Sequence, residues 1–142
     1  MLYFDTSFLA PLILEEPSSG KVERFISRLG TGDLAVSHWT RVECSSLLAR
    51  EVRMGGLEPK EARDADAEFE SILQESFVVL LPDSADFDLA KEYLGDHRTG
   101  LRAGDALHLA IARNRSMEAI YSLDKLLVKV GKSLGLPTKT LT

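Results

Sequence analysis

The chain opens MLYFDTSFLAPLILEEP (residues 1–17), and where its first carboxylate falls decides the reading of the fold. Leu2, Tyr3 and Phe4 form an apolar run that Asp5 cuts off at once, which reads as a short buried strand. Thr6 to Leu14 then carries apolar residues at helix-compatible positions until Glu15-Glu16-Pro17, where proline ends a helix because it lacks an N–H and clashes with the preceding turn. A strand passing directly into a helix is the first part of a strand–helix–strand unit. The aspartate sits at the join, at the carboxyl end of the strand.

The alternation continues along the chain. The spacing of apolar residues predicts helices over Ser18 to Leu29, Trp39 to Met54 (with Val42, Leu47 and Leu48 inward), Pro59 to Gln74, Asp83 to Leu94, Ala106 to Asn114 and Lys125 to Leu134. Between them, Leu34 to Val36, Phe77 to Leu81 and Ala119 to Tyr121 read as strands, Thr138 to Leu141 as an edge strand, and Asp96 to Gly100 as a polar loop. The strands are too uniformly apolar to leave a wet face, so the sheet is parallel and covered on both sides. The expected architecture is α/β: an α/β/α sandwich with a four- to five-stranded parallel sheet, formed by residues 1–142 as one domain.

Composition narrows the function classes. The chain of 142 residues is 44% hydrophobic and 27% charged, an ordinary globular mixture. A single cysteine, Cys44, excludes an internal disulfide and a paired-cysteine zinc site, and fits a reducing cytoplasm. No apolar stretch is long enough to span a bilayer, and no leader-like segment opens the sequence. The net charge of −5 is unevenly spread: residues 1–88 hold 8 basic and 17 acidic side chains, residues 89–142 hold 9 basic and 5 acidic ones. Scattered solvation is the plain account of the basic residues, and an anionic partner the other.

Four carboxylates fall near the same edge of the expected sheet. Asp5 and Asp124 follow the strands at Leu2 to Phe4 and Ala119 to Tyr121; Glu43 lies a turn into the helix after Leu34 to Val36, and Asp105 opens the apolar helix Asp105-Ala-Leu-His-Leu-Ala-Ile-Ala112. Each also has a local reading. Asp5, Asp105 and Asp124 suit N-caps, and Thr40-Arg-Val-Glu43 matches a capping box. Taken together they need more. Two carboxylates about 4 Å apart repel by roughly 4 kcal/mol at an effective dielectric near 20, so a cluster calls for a cation or for raised pKa values. An all-oxygen donor set suits Mg2+ or Mn2+, and His38, His97 and His108 show no metal-ligand spacing. Such an ion, with open positions for water and a phosphate oxygen, promotes hydrolysis of a phosphodiester.

These positions and their surroundings resemble the PIN-domain nucleases, in particular the VapC-type ribonuclease toxins of type II toxin–antitoxin pairs. The likeness runs nearly end to end and rests on Tyr3-Phe-Asp-Thr-Ser7, Val36-Ser-His-Trp-Thr-Arg-Val-Glu43, Leu101-Arg-Ala-Gly-Asp-Ala-Leu-His-Leu-Ala110 and Tyr121-Ser-Leu-Asp-Lys125. The resemblance implies that Asp5, Glu43, Asp105 and Asp124 are the catalytic, metal-binding acids, with Asp5 and Asp105 as direct ligands. It places the hydroxyls of Thr6, Ser7 and Ser122 around them. It further implies a Mg2+- or Mn2+-dependent endoribonuclease that cleaves RNA with an activated water, is inhibited by a small antitoxin, forms homodimers or larger toxin–antitoxin assemblies, and works in the cytoplasm without a membrane. A departure is that Lys125-Leu126-Leu127 follows Asp124, so a fifth carboxylate there is absent.

Other residues near these blocks have plain readings: Arg102 in an ion pair, His108 packed in its helix, Trp39 in the core or a dimer interface, Cys44 as buried filler. A haloacid-dehalogenase-type phosphatase would need another Asp where Ser7 stands, and a receiver domain would need extra acids beside the first strand. The remaining alternative is a catalytically silent PIN-fold module that binds RNA or protein.

Overall fold

The structure is a computed structural model in which residues 1–141 are described. Five parallel strands form one sheet: β1 (Leu2–Phe4), β2 (Leu34–Ser37), β3 (Val78–Leu80), β4 (Ala119–Tyr121) and β5 (Thr138–Lys139), in the spatial order β3-β2-β1-β4-β5. Seven helices connect them: α1 (Thr6–Leu9), α2 (Ser19–Ser27), α3 (His38–Arg53), α4 (Pro59–Ser76), α5 (Ser84–Leu94), α6 (Ala103–Asn114) and α7 (Lys125–Ser133).

The sheet alternates its side chains between two cores. From β1 and β2, Tyr3 and Ala35 join a cluster with α6 and α7, including Leu109, Ile111, Leu127 and Val130. Leu34, Phe4 and Val36 point the other way, into a cluster with Phe8 of α1, Leu48 of α3, and Phe69 and Leu73 of α4. Period-two alternation over strands this short therefore feeds both faces, which is why no strand shows a polar stripe in the sequence. Burial of these apolar side chains is the main source of stability.

The topology fixes where a site can form. The chain steps outward from β1 to β2 to β3, then crosses back to place β4 on the other side of β1. The carboxyl ends of β1 and β4 thus flank the point where strand order reverses, the usual position of a crevice in an open α/β sheet. Across it, the Asp5 amide donates to the Tyr121 carbonyl at 3.1 Å.

Several boundaries differ from expectation. The helix expected over Thr6 to Leu14 is a single α-turn, Thr6–Leu9, followed by a 3-10 turn at Ala10–Leu12 with Pro11 in its first positions. Helix α3 starts earlier, and Val42 points outward at 57% exposure, because Thr40, Cys44 and Leu48, four residues apart, form its buried stripe. The strand expected over Phe77 to Leu81 is shorter: Phe77 closes α4, and β3 is an edge strand with Val78 partly exposed and Leu81 outside it at 75%. The loop at Asp96 to Gly100 contains a 3-10 turn, His97–Thr99, and β5 is two residues long. Helix α6 begins at Ala103, three residues before the expected Ala106.

Candidate active site

Asp5 caps α1. Its Oδ1 accepts from the Phe8 amide at 3.0 Å and from Ser7 Oγ at 2.8 Å, and its Oδ2 accepts from Ser122 Oγ at 2.6 Å. Ser7 and Ser122 lie 3.1 Å apart, and Ser7 Oγ also accepts from the Leu123 amide, so two hydroxyls hold this carboxylate between the ends of β1 and β4. It is 2% exposed. Burial pushes its pKa up, against the pull of the His108 charge and these hydrogen bonds.

Asp124 caps α7, its Oδ1 accepting from the amides of Leu126 and Leu127 at 2.9 and 3.2 Å. Its Oδ2 accepts from Arg102 Nη2 at 3.4 Å. Arg102 also approaches Asp105, 3.8 Å from Nε to Oδ2, so the arginine forms the ion pairs expected of it.

Asp105 caps nothing. Because α6 starts at Ala103 with Arg102 as its N-cap, Asp105 falls in the first helical turn, and its buried Oδ2 has no hydrogen-bond partner. Burial first, and then the charges of Asp124 and Asp5, raise its pKa to about 6, against the opposing charges of His108 and Arg102. A buried carboxylate oxygen that no hydrogen bond satisfies, approached by Arg102 only at 3.8 Å and set among other acids, leaves room for a further cation.

Glu43 is bound differently from expectation. The capping box of α3 is formed by Ser37 and Thr40, and Glu43, in the body of the helix, is held from across the pocket. Its Oε1 accepts from Thr6 Oγ1 at 2.6 Å and from His108 Nε2 of α6. The other ring nitrogen, Nδ1, lies 2.7 Å from the Tyr3 hydroxyl, which in turn donates to Ser37 Oγ at 3.1 Å. Nε2 donates to the Glu43 carboxylate, and a protonated ring would donate from Nδ1 to the Tyr3 oxygen as well. Burial disfavours that charge, but the surrounding Tyr3, Glu43 and Asp5 outweigh it and hold the His108 pKa well above the ordinary imidazole value. Glu43 moves the opposite way: burial would raise it, and the His108 bond and charge together with Thr6 bring it below the ordinary carboxylate range. His108 is packed, as the sequence reading had it. Its pairing with Glu43 was missed, and its position one turn after Asp105 on the same helix was the available signal.

A cavity of about 520 Å3 opens over these groups, lined by Asp5, Glu43, Asp105 and Asp124 with Thr6, Ser7 and His108. Arg50 and Arg102 also line it. Trp39 reaches the same cavity from the neighbouring core with a buried, unpartnered Nε1, and Cys44 is on the buried face of α3 with its thiol pKa pushed up to about 12 by burial and by Asp66 and Glu70. All four sequence-picked acids therefore share one pocket. Among the described residues, however, no group of three or more His, Cys, Asp or Glu side chains converges into a ready metal cage. Glu43 is turned to His108 and one Asp124 oxygen is spent on the helix cap. The donors that could face a cation are Asp5 and Asp105, an arrangement that suits a hard ion held by one or two carboxylates and by water.

The family model for the PIN domain matches residues 2–133. The chain belongs to the PIN-domain family. Among solved structures, this PIN domain is similar to VapC20 of Mycobacterium tuberculosis, described as a sarcin-ricin loop cleaving toxin, with 21% identity over 92% of this chain and 95% of that one and a TM-score of 0.72. It is also similar to FitAB bound to an IR36 DNA fragment (17% identity, 99% and 94% covered, TM-score 0.76). A third is VapBC2 of Rickettsia felis bound to a DNA fragment from its promoter (14% identity, 100% of each chain, TM-score 0.70). At these identities the likeness is one of fold. Comparison with curated protein sequences gives no match. No helix among the described residues is long and apolar enough to cross a membrane.

Proposed function

We propose that the protein is a Mg2+- or Mn2+-dependent endoribonuclease of the VapC type, the toxin of a toxin–antitoxin pair. The observation that carries this reading is the buried Asp105 oxygen that no hydrogen bond satisfies, set in one crevice with Asp5 and Asp124 at the reversal point of the sheet. Asp5 and Asp105 would hold the ion, with Asp124 at the rim. A divalent ion bound there supplies charge neutralisation and a lowered pKa for a water.

The remaining steps belong to the protein's own groups. Ser7 and Ser122 fix the orientation of Asp5, whose Oδ1 accepts two hydrogen bonds and whose Oδ2 accepts one. Glu43, fixed as an anion by His108 and Thr6, stands ready to orient an attacking water by accepting its hydrogen bond. Arg102 and Arg50 line the cavity where a phosphate would approach, and Arg102 can exchange its exposed ion pairs for that phosphate at small cost. An RNA substrate, an antitoxin partner, assembly into dimers and action in the cytoplasm complete the reading. The similarity to a sarcin-ricin loop cleaving toxin and to the FitAB and VapBC2 structures supports it.

Purified protein incubated with Mn2+ or Mg2+ and with single-stranded and transfer RNA tests the proposal. Cleavage that chelation stops and that Asp5→Asn abolishes is the expected result. Undiminished cleavage by Asp5→Asn overturns the site, and RNA binding without any cleavage by the wild type makes the protein a silent PIN-fold module.

A further inference from the structure

Helix α7 begins at Asp124, on the rim of the acidic cavity, and leads away from it. Its exposed residues include Lys125, Lys129 and Lys132. At 100° per residue these three fall within about 60° of the helix circumference, with about 6 Å of rise between the first two, so they form one stripe. The stripe borders a groove of about 360 Å3 whose other wall includes Thr140, just beyond β5. Because the sheet is parallel, the end of β5 lies along the same edge as the ends of β1 and β4. Lys139 pairs in register with Tyr121, and the Ser122 amide donates to the Lys139 carbonyl at 3.0 Å. The groove is thus one strand removed from the serine that holds Asp5.

The charge of this surface is of one sign. From residue 125 to the end, the sequence holds four lysines and no acid. Among the described residues none of the four takes part in an ion pair. In a chain of net charge −5, an unpaired lysine stripe running out of an acidic pocket is complementary to a polyanion that has one residue in that pocket. A second basic cluster, Lys21, Arg24 and Arg28 on and just after α2, is interleaved with Glu23 and has no such link to the pocket.

We propose that α7 and the end of β5 form the track along which an RNA strand leaves the acidic pocket, with Lys125, Lys129 and Lys132 contacting successive backbone phosphates. This rests on the nuclease reading for its starting point, but the track itself is a binding surface and can be measured without catalysis. Backbone contacts of this kind fix position and carry no base specificity.

The test is fluorescence-anisotropy titration of a labelled single-stranded 12-mer RNA in EDTA, where no cleavage occurs, over a range of salt concentrations. The Lys125→Gln/Lys129→Gln/Lys132→Gln protein is expected to bind about tenfold or more weakly than the wild type, and its log–log salt slope to fall by about 2, since each single-strand phosphate contact contributes roughly 0.7. The corresponding triple arginine protein should bind like the wild type. A control of equal charge change, Lys60→Gln/Arg63→Gln/Lys91→Gln, should lose little. Equal loss in the control, an unchanged slope in the α7 variant, or no RNA binding by the wild type overturns the proposal. So does an α7 variant that keeps its affinity for RNA and loses affinity for a polyglutamate peptide, which would assign the surface to an acidic protein. Cleavage assays on the same variants separate the two readings: raised KM with kcat within about twofold supports the track, while absence of any cleavage by the wild type removes the nuclease reading and leaves the binding result standing.

Discussion

Asp105 is where the electrostatics of the pocket translate into a measurable free energy. Its pKa of about 6 lies above the 3.8 of an unstrained aspartate, so between those values the folded protein holds a proton that the unfolded chain has released. Stability from this group therefore falls as pH rises from about 4 to about 6, and above that the whole penalty, up to about 3 kcal/mol, remains. Asp105→Asn removes it, at the cost of a long ion pair with the exposed Arg102, worth about 1 kcal/mol. We predict that in metal-free buffer Asp105→Asn is more stable than the wild type by about 1–3 kcal/mol at pH 7.5, and that the gap closes near pH 4. Urea unfolding at several pH values in EDTA checks this; a gap independent of pH, or of the opposite sign, contradicts it. Adding Mn2+ should reverse the order, since an ion bound to the native state at a hundred times its Kd adds about 2.7 kcal/mol to the wild type and little to the variant. The sequence made Asp5, Asp105 and Asp124 look equally like helix caps. The cap reading is right for Asp5 and Asp124, and it fails for Asp105 because Gly104 hid a helix that starts two residues upstream, at Ala103.

At the scale of elements, the site depends on how closely the start of α6 approaches α3. A Cβ added at Gly104 would lie 2.7 Å from Glu43 Oε2 and 3.3 Å from Trp39 Nε1. Glutamate tips normally swing away at little cost, but Glu43 is tied to His108 and Thr6, so Gly104→Ala has to displace either that carboxylate or the helix. Alanine in a helix is worth up to about 1 kcal/mol over glycine, which offsets part of the crowding. The expected outcome is a protein with stability within about 1 kcal/mol of the wild type whose metal-dependent turnover is at least about tenfold lower. Parallel thermal melts and RNA cleavage assays decide it, and wild-type turnover in Gly104→Ala would show that the position of Glu43 does not matter to the reaction. The order of strands and helices was legible because the apolar runs are short and cleanly bounded. What stayed hidden was set by tertiary packing: Val42 and Leu81 are apolar yet exposed, and Pro11 converts an apolar stretch into a 3-10 turn. Glu43 was legible as a site residue, while its partners were not, since they come from α1 and α6, far away in the chain.

Across the whole molecule, one chain of polar contacts joins elements that the two apolar cores hold apart. Ser37 at the end of β2, Tyr3 in β1, His108 in α6, Glu43 in α3 and Thr6 in α1 are linked in sequence by hydrogen bonds, with the imidazolium–carboxylate pair at the centre. His108 is 1% exposed, so a charge is buried there only because its partner is present. Removing one member leaves the other unpaired in a partly buried place, whereas removing both leaves no net charge behind. We therefore predict that His108→Gln costs about 3 kcal/mol of stability, that Glu43→Gln costs a comparable amount, and that the double variant is destabilised by less than the sum of the two, with a coupling of about 1–3 kcal/mol. Turnover should be lost in all three, because Glu43 is either missing or no longer held over the cavity. Denaturant unfolding of the four proteins completes the cycle. Additive losses would mean that His108 and Glu43 do not share a charge pair, and then neither the anionic state assigned to Glu43 nor its capacity to orient a water could rest on the histidine.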